Sequence, residues 1–145
     1  MESATLIGTN WTGTKEEKLK VTADDVLNVI AEGRDVHVEY VVIVGDLDIE
    51  SIADQLERDE NGKRVIRGDI LIQFSEIRGK TNFASATFDG NVGFVSTNFN
   101  GMAIFEVAIF KGNTDFKEAV FSEDADFKGT TYSRNANFRN AIFHG

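Results

Sequence analysis

Large apolar residues return along this chain at steps that alternate between six and five: Ile66, Ile72, Ile77, Phe83, Phe88, Phe94, Phe99, Phe105, Phe110, Phe116, Phe121, Phe127, Tyr132, Phe138 and Phe143. Two positions before each aromatic residue lies a second register, Thr81, Ala86, Val92, Thr97, Ala103, Ala108, Thr114, Ala119, Ala125, Thr130, Ala136 and Ala141. Side chains two apart on an extended chain point to the same side. Each unit therefore predicts a short strand with one small and one large residue turned inward, followed by a bend. Gly68, Gly79, Gly90, Gly101 and Gly112 mark the longer step, eleven residues apart each time. The expectation is that these glycines, with nearby Asn and Asp, supply bend conformations closed to most residues. A repeat this short builds a solenoid, each lap resting on the one before.

The triplets TNF (81–83), TNF (97–99), TDF (114–116), ADF (125–127) and ANF (136–138) resemble the pentapeptide-repeat proteins, whose unit is small, polar, Leu or Phe, then two polar residues. The resemblance covers roughly residues 36–52 and 65–145. It implies a mainly β fold, a right-handed parallel quadrilateral β-helix with one unit per side. The sixth residue in alternate units lengthens the lap to about 22 residues. Four columns then follow: Phe83, Phe105 and Phe127; Phe88, Phe110 and Tyr132; Phe94, Phe116 and Phe138; Phe99, Phe121 and Phe143. Laps of a parallel sheet lie about 4.8 Å apart, close to the distance at which offset rings attract. The alternative is a flattened two-sided coil of eleven residues, with two rows of phenylalanine face to face.

Before the repeat, VTADDVLNVIAEG predicts an α-helical cap over the open end of the coil. Thr22 and Asp25 have capping-box spacing, Val26, Leu27, Ile30 and Ala31 share one face, and Gly33 provides a stop. Residues 1–35 are thus read as a tail, holding Trp11 and KEEKLK, plus the capping helix. The β-helix is read over 36–145, opening with Val38, Ile43 and Ile49 in the same steps, and Gly45 at the longer one. Ile49 to Ile66 spans 17 residues where five would continue the rhythm, so twelve are inserted. This charged loop, about 53–64, contains LERDENGKR; a brief helical turn leading into a hairpin is expected. Gly145 falls on the glycine position of a longer step. A chain stopping there in mid-lap is expected to be covered by a second copy or by further sequence.

Composition narrows the function. The net charge of −9 is concentrated in residues 1–65, where fifteen acids face seven bases; residues 66–145 carry nine acids and eight bases. There is no cysteine, no run of about 18 apolar residues and no secretory leader in the opening stretch. No membrane span and a cytoplasmic setting are expected. Catalysis has little to stand on: His37 and His144 are the two histidines, neither next to a nucleophile motif, and no phosphate-binding glycine loop is present. No cofactor or metal is expected. GDLDIE (45–50) reads as the outer face of a strand and SEDADF (122–127) as a solvated corner. Glu118, Glu123, Asp124 and Asp126 are kept as an acidic patch, and the outward apolar residues Val95, Ile104, Val107, Ile109, Val120 and Ile142 as a partner surface. No direct nucleic-acid binding is expected of an acidic chain without a basic stripe. The resulting expectation is a non-enzymatic scaffold for protein interaction or assembly, through a protein partner or self-association at the uncapped C-terminal end. The family resemblance implies an alternative, a DNA mimic that binds and modulates type II topoisomerase (DNA gyrase). That alternative needs a dense negative surface.

Overall fold

The computed structural model describes residues 4–5 and 19–145; the reading of Trp11 as part of a loosely held tail lies outside the described residues. The chain winds into four parallel sheets, one per side of a square coil. Side I stacks Ala4–Thr5, Val36–Glu39, Ile70–Gln73, Val92–Gly93, Thr114–Asp115 and Ala136–Asn137. Side II stacks Leu19–Thr22, Val41–Val44, Glu76–Ile77, Asn98–Phe99, Val120–Phe121 and Ile142–Phe143. Side III holds Leu47–Asp48, Thr81–Asn82, Ala103–Ile104 and Ala125–Asp126, and side IV holds Arg64–Ile66, Ala86–Phe88, Ile109–Phe110 and Thr131–Tyr132.

Register fixes the lap length. Phe88 pairs with Phe110, Phe99 with Phe121 and Thr114 with Ala136, each 22 residues on. Across the insertion the offset is 34, as in Val38 with Ile72 and Leu47 with Thr81. The excess is the twelve inserted residues. A two-sided coil would pair residues eleven apart and is excluded.

Inside, the four aromatic columns form as the spacing requires. Phe99, Phe121 and Phe143 stack at 4.7 Å per step, Phe88 on Phe110 at 4.8 Å, and Phe110 on Tyr132 at 5.1 Å. The columns of sides I and III meet edge to face on the axis: Phe105 meets Phe116 at 5.4 Å and 82°, and Phe116 meets Phe127 at 5.3 Å and 85°. Stacking along a column and edge contact between columns are both favoured by the ring quadrupole, about 0.5–1.5 kcal/mol per pair beyond burial. The eight phenylalanines from Phe83 to Phe121 are buried, and the small register beside them (Thr81, Ala86, Thr97, Ala103, Ala108, Ala119) is buried too. Burial also raises the Tyr132 phenol above its usual pKa, against a lowering hydrogen bond from Thr130.

The corners correct one expectation. Gly68, Gly79, Gly90, Gly101 and Gly112 do not adopt the left-handed conformation. Their constraint is space: a Cβ on Gly79 would stand 2.3 Å from the carbonyl oxygen of Gly45, and one on Gly101 2.7 Å from that of Gly79, in the lap before. Gly45, at the same corner of an earlier lap, is left-handed at φ +101°, but through the later repeat the left-handed residues fall at the opposite corners, again every eleven: Phe74, Ser85, Ser96, Val107, Glu118, Gly129 and Asn140. The polar middle residue of four of the five triplets, all but Asn98, also has a structural task. Asn82, Asp115, Asp126 and Asn137 each accept, through Oδ1, the backbone N–H two residues ahead at 2.9–3.0 Å. A short carbonyl side chain caps that turn more strongly than a hydroxyl would.

The N-terminal cap is the helix α1, Ala23–Ala31, whose Thr22 hydroxyl accepts from the Asp25 N–H at 3.1 Å. Ala23, Val26, Leu27, Val29 and Ile30 join the coil's hydrophobic core. The coil itself starts earlier than residue 36. Leu19–Thr22, read on sequence as the end of the tail and the residue that caps the helix, is a strand of side II paired with Val41–Val44 at the ordinary 22-residue offset. Within that lap, α1 takes the stretch where sides III and IV would run.

The insertion opens with a 3₁₀ helix, Ile49–Gln55, kinked at Ile52. An antiparallel bridge from Arg58 to Arg64 then closes a hairpin whose turn places Gly62 at φ +77°. It lies against side IV. Asp59 accepts from the Thr87 hydroxyl at 2.8 Å and from the N–H groups of Lys63 and Asn61, while Lys63 Nζ donates to the Val107 carbonyl at 2.8 Å. The Thr87 and Lys63 bonds hold the Asp59 carboxyl below its usual pKa, against a small opposing desolvation.

Candidate interaction surfaces

On each strand the residue between the two inward ones faces out, so side-chain identity can vary by side while the core repeats. On side III the outward series is Asp48, Asn82, Ile104 and Asp126, with Ile104 and Asp126 direct register partners. On side II, Val120 pairs with Ile142 above Asn98 and Glu76. On side IV, Val65, Thr87, Ile109 and Thr131 line up, with Thr87 buried beneath Asp59.

The six outward apolar residues do not make one surface. Ile104 lies on side III, Ile109 on side IV, and Val120 and Ile142 on side II. Val95 sits half-buried at the bend after side I, and Val107 is exposed at a left-handed corner between sides III and IV. The acidic patch divides as well. Glu118 occupies the corner between sides I and II, accepting from the Ser96 hydroxyl at 2.8 Å. Glu123 and Asp124 are exposed at the corner between sides II and III, and Asp126 is on side III.

What the fold brings together is a mixed set. Met102, Ile104 and Ala125 line an open groove of about 440 Å³ on side III, with Glu106, Asp124, Asp126 and Gly145. Met102 is among the more exposed large apolar residues, at 43%. Neither Met102 nor Glu106 stands out in the sequence, although adding one lap to 102 and 104 gives 124 and 126. A second cleft, about 320 Å³, lies where the insertion meets the corner of sides III and IV, lined by Glu50, Arg58, Gly62, Arg64, Asn82, Ala84 and Ser85. Its more buried cation, Arg64, is already neutralised by Glu50 at 2.7 Å. Among the described residues no group of three or more His, Asp or Glu side chains is placed to hold a metal ion.

A family model described as pentapeptide repeats (9 copies) matches residues 75–120 and 105–145. The repeat region over residues 75–145 belongs to the pentapeptide-repeat family. No curated protein and no solved structure matches it. The match begins at Ser75, where aliphatic columns give way to phenylalanine. The laps before it follow the same register with Val and Ile inside, and the insertion interrupts their period. No helix of the described residues is long and apolar enough to cross a membrane.

Proposed function

We propose that this protein is a non-enzymatic scaffold, a rigid square rod whose sides and end present side chains to protein partners, including a second copy of itself. The observation that carries the reading is a core that repeats each lap beneath outward positions that differ from side to side, Asn82, Ile104 and Asp126 on side III against Asn98, Val120 and Ile142 on side II. Phe99 and Phe121 are buried, while Phe143, stacked at the same 4.7 Å, is half exposed, and Ile142 beside it is 49% exposed. Unpaired strand edges and exposed rings favour pairing with an equivalent edge, and a second copy supplies one in a two-fold, self-complementary arrangement. The setting that suits a cysteine-free chain is the cytoplasm.

Light scattering over a concentration series tests the end-to-end contact. The expected result is a dimer that Phe143→Asp converts to monomer; a strict monomer for the unaltered chain at several hundred micromolar overturns it. Duplex mimicry gains no comparable support, because Lys80, Lys111, Lys117, Lys128 and Arg139 interrupt the negative surface of the repeat region. Gyrase supercoiling is accordingly expected to be unchanged at high molar excess of this protein.

A further inference from the structure

Side III changes character along its length. At Asp48 the charge is matched, by Lys80 Nζ at 3.3 Å and by the Asn82 amide at 3.0 Å. Two and three laps on, Glu106, Asp124 and Asp126 take part in no ion pair among the described residues, and Lys128, one lap after Glu106, makes none with it. Asp126 commits one oxygen to the Lys128 N–H, which leaves its charge and second oxygen available. These carboxylates adjoin an apolar strip. Ile104 is register partner to Asp126 and Ala103 to Ala125, with Met102 and Asp124 one position earlier on the same two laps. The backbone of Ala103–Ile104 is bonded to a strand on each side, so a ligand meets side chains here and does not add as a strand.

We infer that this groove on side III docks a cationic, partly apolar segment of a partner protein: an aliphatic or aromatic side chain flanked by lysines or arginines. The inference rests on the scaffold reading and names the chemistry of one partner surface. The apolar side chain covers Met102 and Ile104; an unbranched thioether reshapes itself around varied partners at little cost. The flanking cations meet Glu106, Asp124 and Asp126 and replace water around charges that lack an internal partner. The attraction is local, from Glu106, Asp124 and Asp126, because residues 66–145 are close to neutral as a whole, and binding should weaken as salt rises. Acidic peptides and nucleic acids meet repulsion at the same place.

The probe is a fluorescein-labelled dodecapeptide with a leucine pair between lysines, compared with a version carrying serine for leucine and another carrying glutamate for lysine. Binding to the intact chain is read by anisotropy and by amide chemical shifts. Asp124→Asn with Asp126→Asn removes two charges. The second substitution retains a carbonyl oxygen to accept the Lys128 N–H, so the turn and the fold are preserved. The expected result is binding that weakens about tenfold in this double variant and several-fold in Met102→Ser. Shift changes should be confined to 102–106 and 124–126, and Val120→Thr on side II should bind as the unaltered chain does. Equal binding by the double variant, shifts spread over all sides, or no binding of the lysine peptide to the folded protein would each overturn the proposal. A concentration-dependent dimer seen alongside such a failure leaves the scaffold standing and removes only this groove; a monomer alongside it removes both.

Discussion

The laps nearest the N-terminus and those nearest the C-terminus share one register and differ in nearly everything else. The first are aliphatic, with Val36, Val38, Val41, Ile43, Leu47, Ile49, Ile70, Ile72 and Ile77 buried, strands of four residues on sides I and II, and a helix over the top. The last have two-residue strands, and Phe127, Tyr132 and Phe138 are only partly buried. Ring geometry does not follow that difference: on sides II and IV the buried pairs Phe99 on Phe121 and Phe88 on Phe110 lie at 6° and 7°, and only on sides I and III do the earlier pairs tilt more. Phe105 on Phe127, Phe116 on Phe138 and Phe121 on Phe143 all lie within 6° of parallel, against 18° and 19° for Phe83 on Phe105 and Phe94 on Phe116. Regularity does not track burial. The repeat sets the geometry of a lap, whereas its stability comes from having neighbours on both sides.

The sharpest test of that separation is a pair of identical truncations. Phe116→Ala, at the crossing of two columns, is expected to cost about 3–5 kcal/mol in chemical denaturation, as a fully buried aromatic. Phe143→Ala, with the same stacking but half exposed, should cost about 1 kcal/mol, in keeping with its smaller burial. Equal losses would mean that stacking, and not burial, carries the energy.

Next in size is Gly101→Ala. Its Cβ would fall 2.7 Å from a backbone oxygen that cannot swing aside. A cost of about 1–3 kcal/mol is expected from overpacking, measured by the same denaturation. A neutral result would show that the laps can separate locally. Val107→Asn runs the other way: a β-branched residue at φ +51° is strained, and Asn140 already occupies the equivalent conformation. A gain of about 1 kcal/mol is expected, read as a raised midpoint.

The smallest effect is local. The folded Asp59 carboxyl titrates below its unfolded value, so its stabilisation of the hairpin is present above the usual carboxylate range and is lost as pH falls through the folded pKa. Amide protection at Asn61 and Lys63, corrected for the intrinsic exchange rate, should therefore fall in acid before that of the coil. Asp59→Asn should flatten that dependence. If hairpin and coil open together, the insertion is part of the cooperative unit and not an appendage.

The period made the columns legible, since residues 22 apart meet whatever else the chain does. It also made the insertion countable. The glycines show where such reading stops: a recurring Gly marks a constraint without saying whether conformation or space imposes it. Here the answer depended on how closely Gly79 approaches Gly45. Leu19–Thr22 escaped because one short strand beside a charged run shows no repeat, the helix having replaced the two sides that would have displayed it. The side III groove escaped because Met102 and Ile104 are separated from Asp124 and Asp126 in sequence. Reading outward positions in isolation kept the apolar and acidic sets apart.

A closed lap of fixed length turns residue number into a surface address. Adding 22 moves a side chain one strand spacing, about 4.8 Å, along the rod without changing the direction it faces. Adding eleven sends it to the opposite wall, carrying what was on side I to side III. Gene segments inserted in whole laps would thus lengthen the rod and keep each wall's chemistry aligned, while an insertion of half a lap would turn everything beyond it to face the other way. The twelve extra residues before Ile66 escape this penalty because they leave the coil at one corner and return to it in phase.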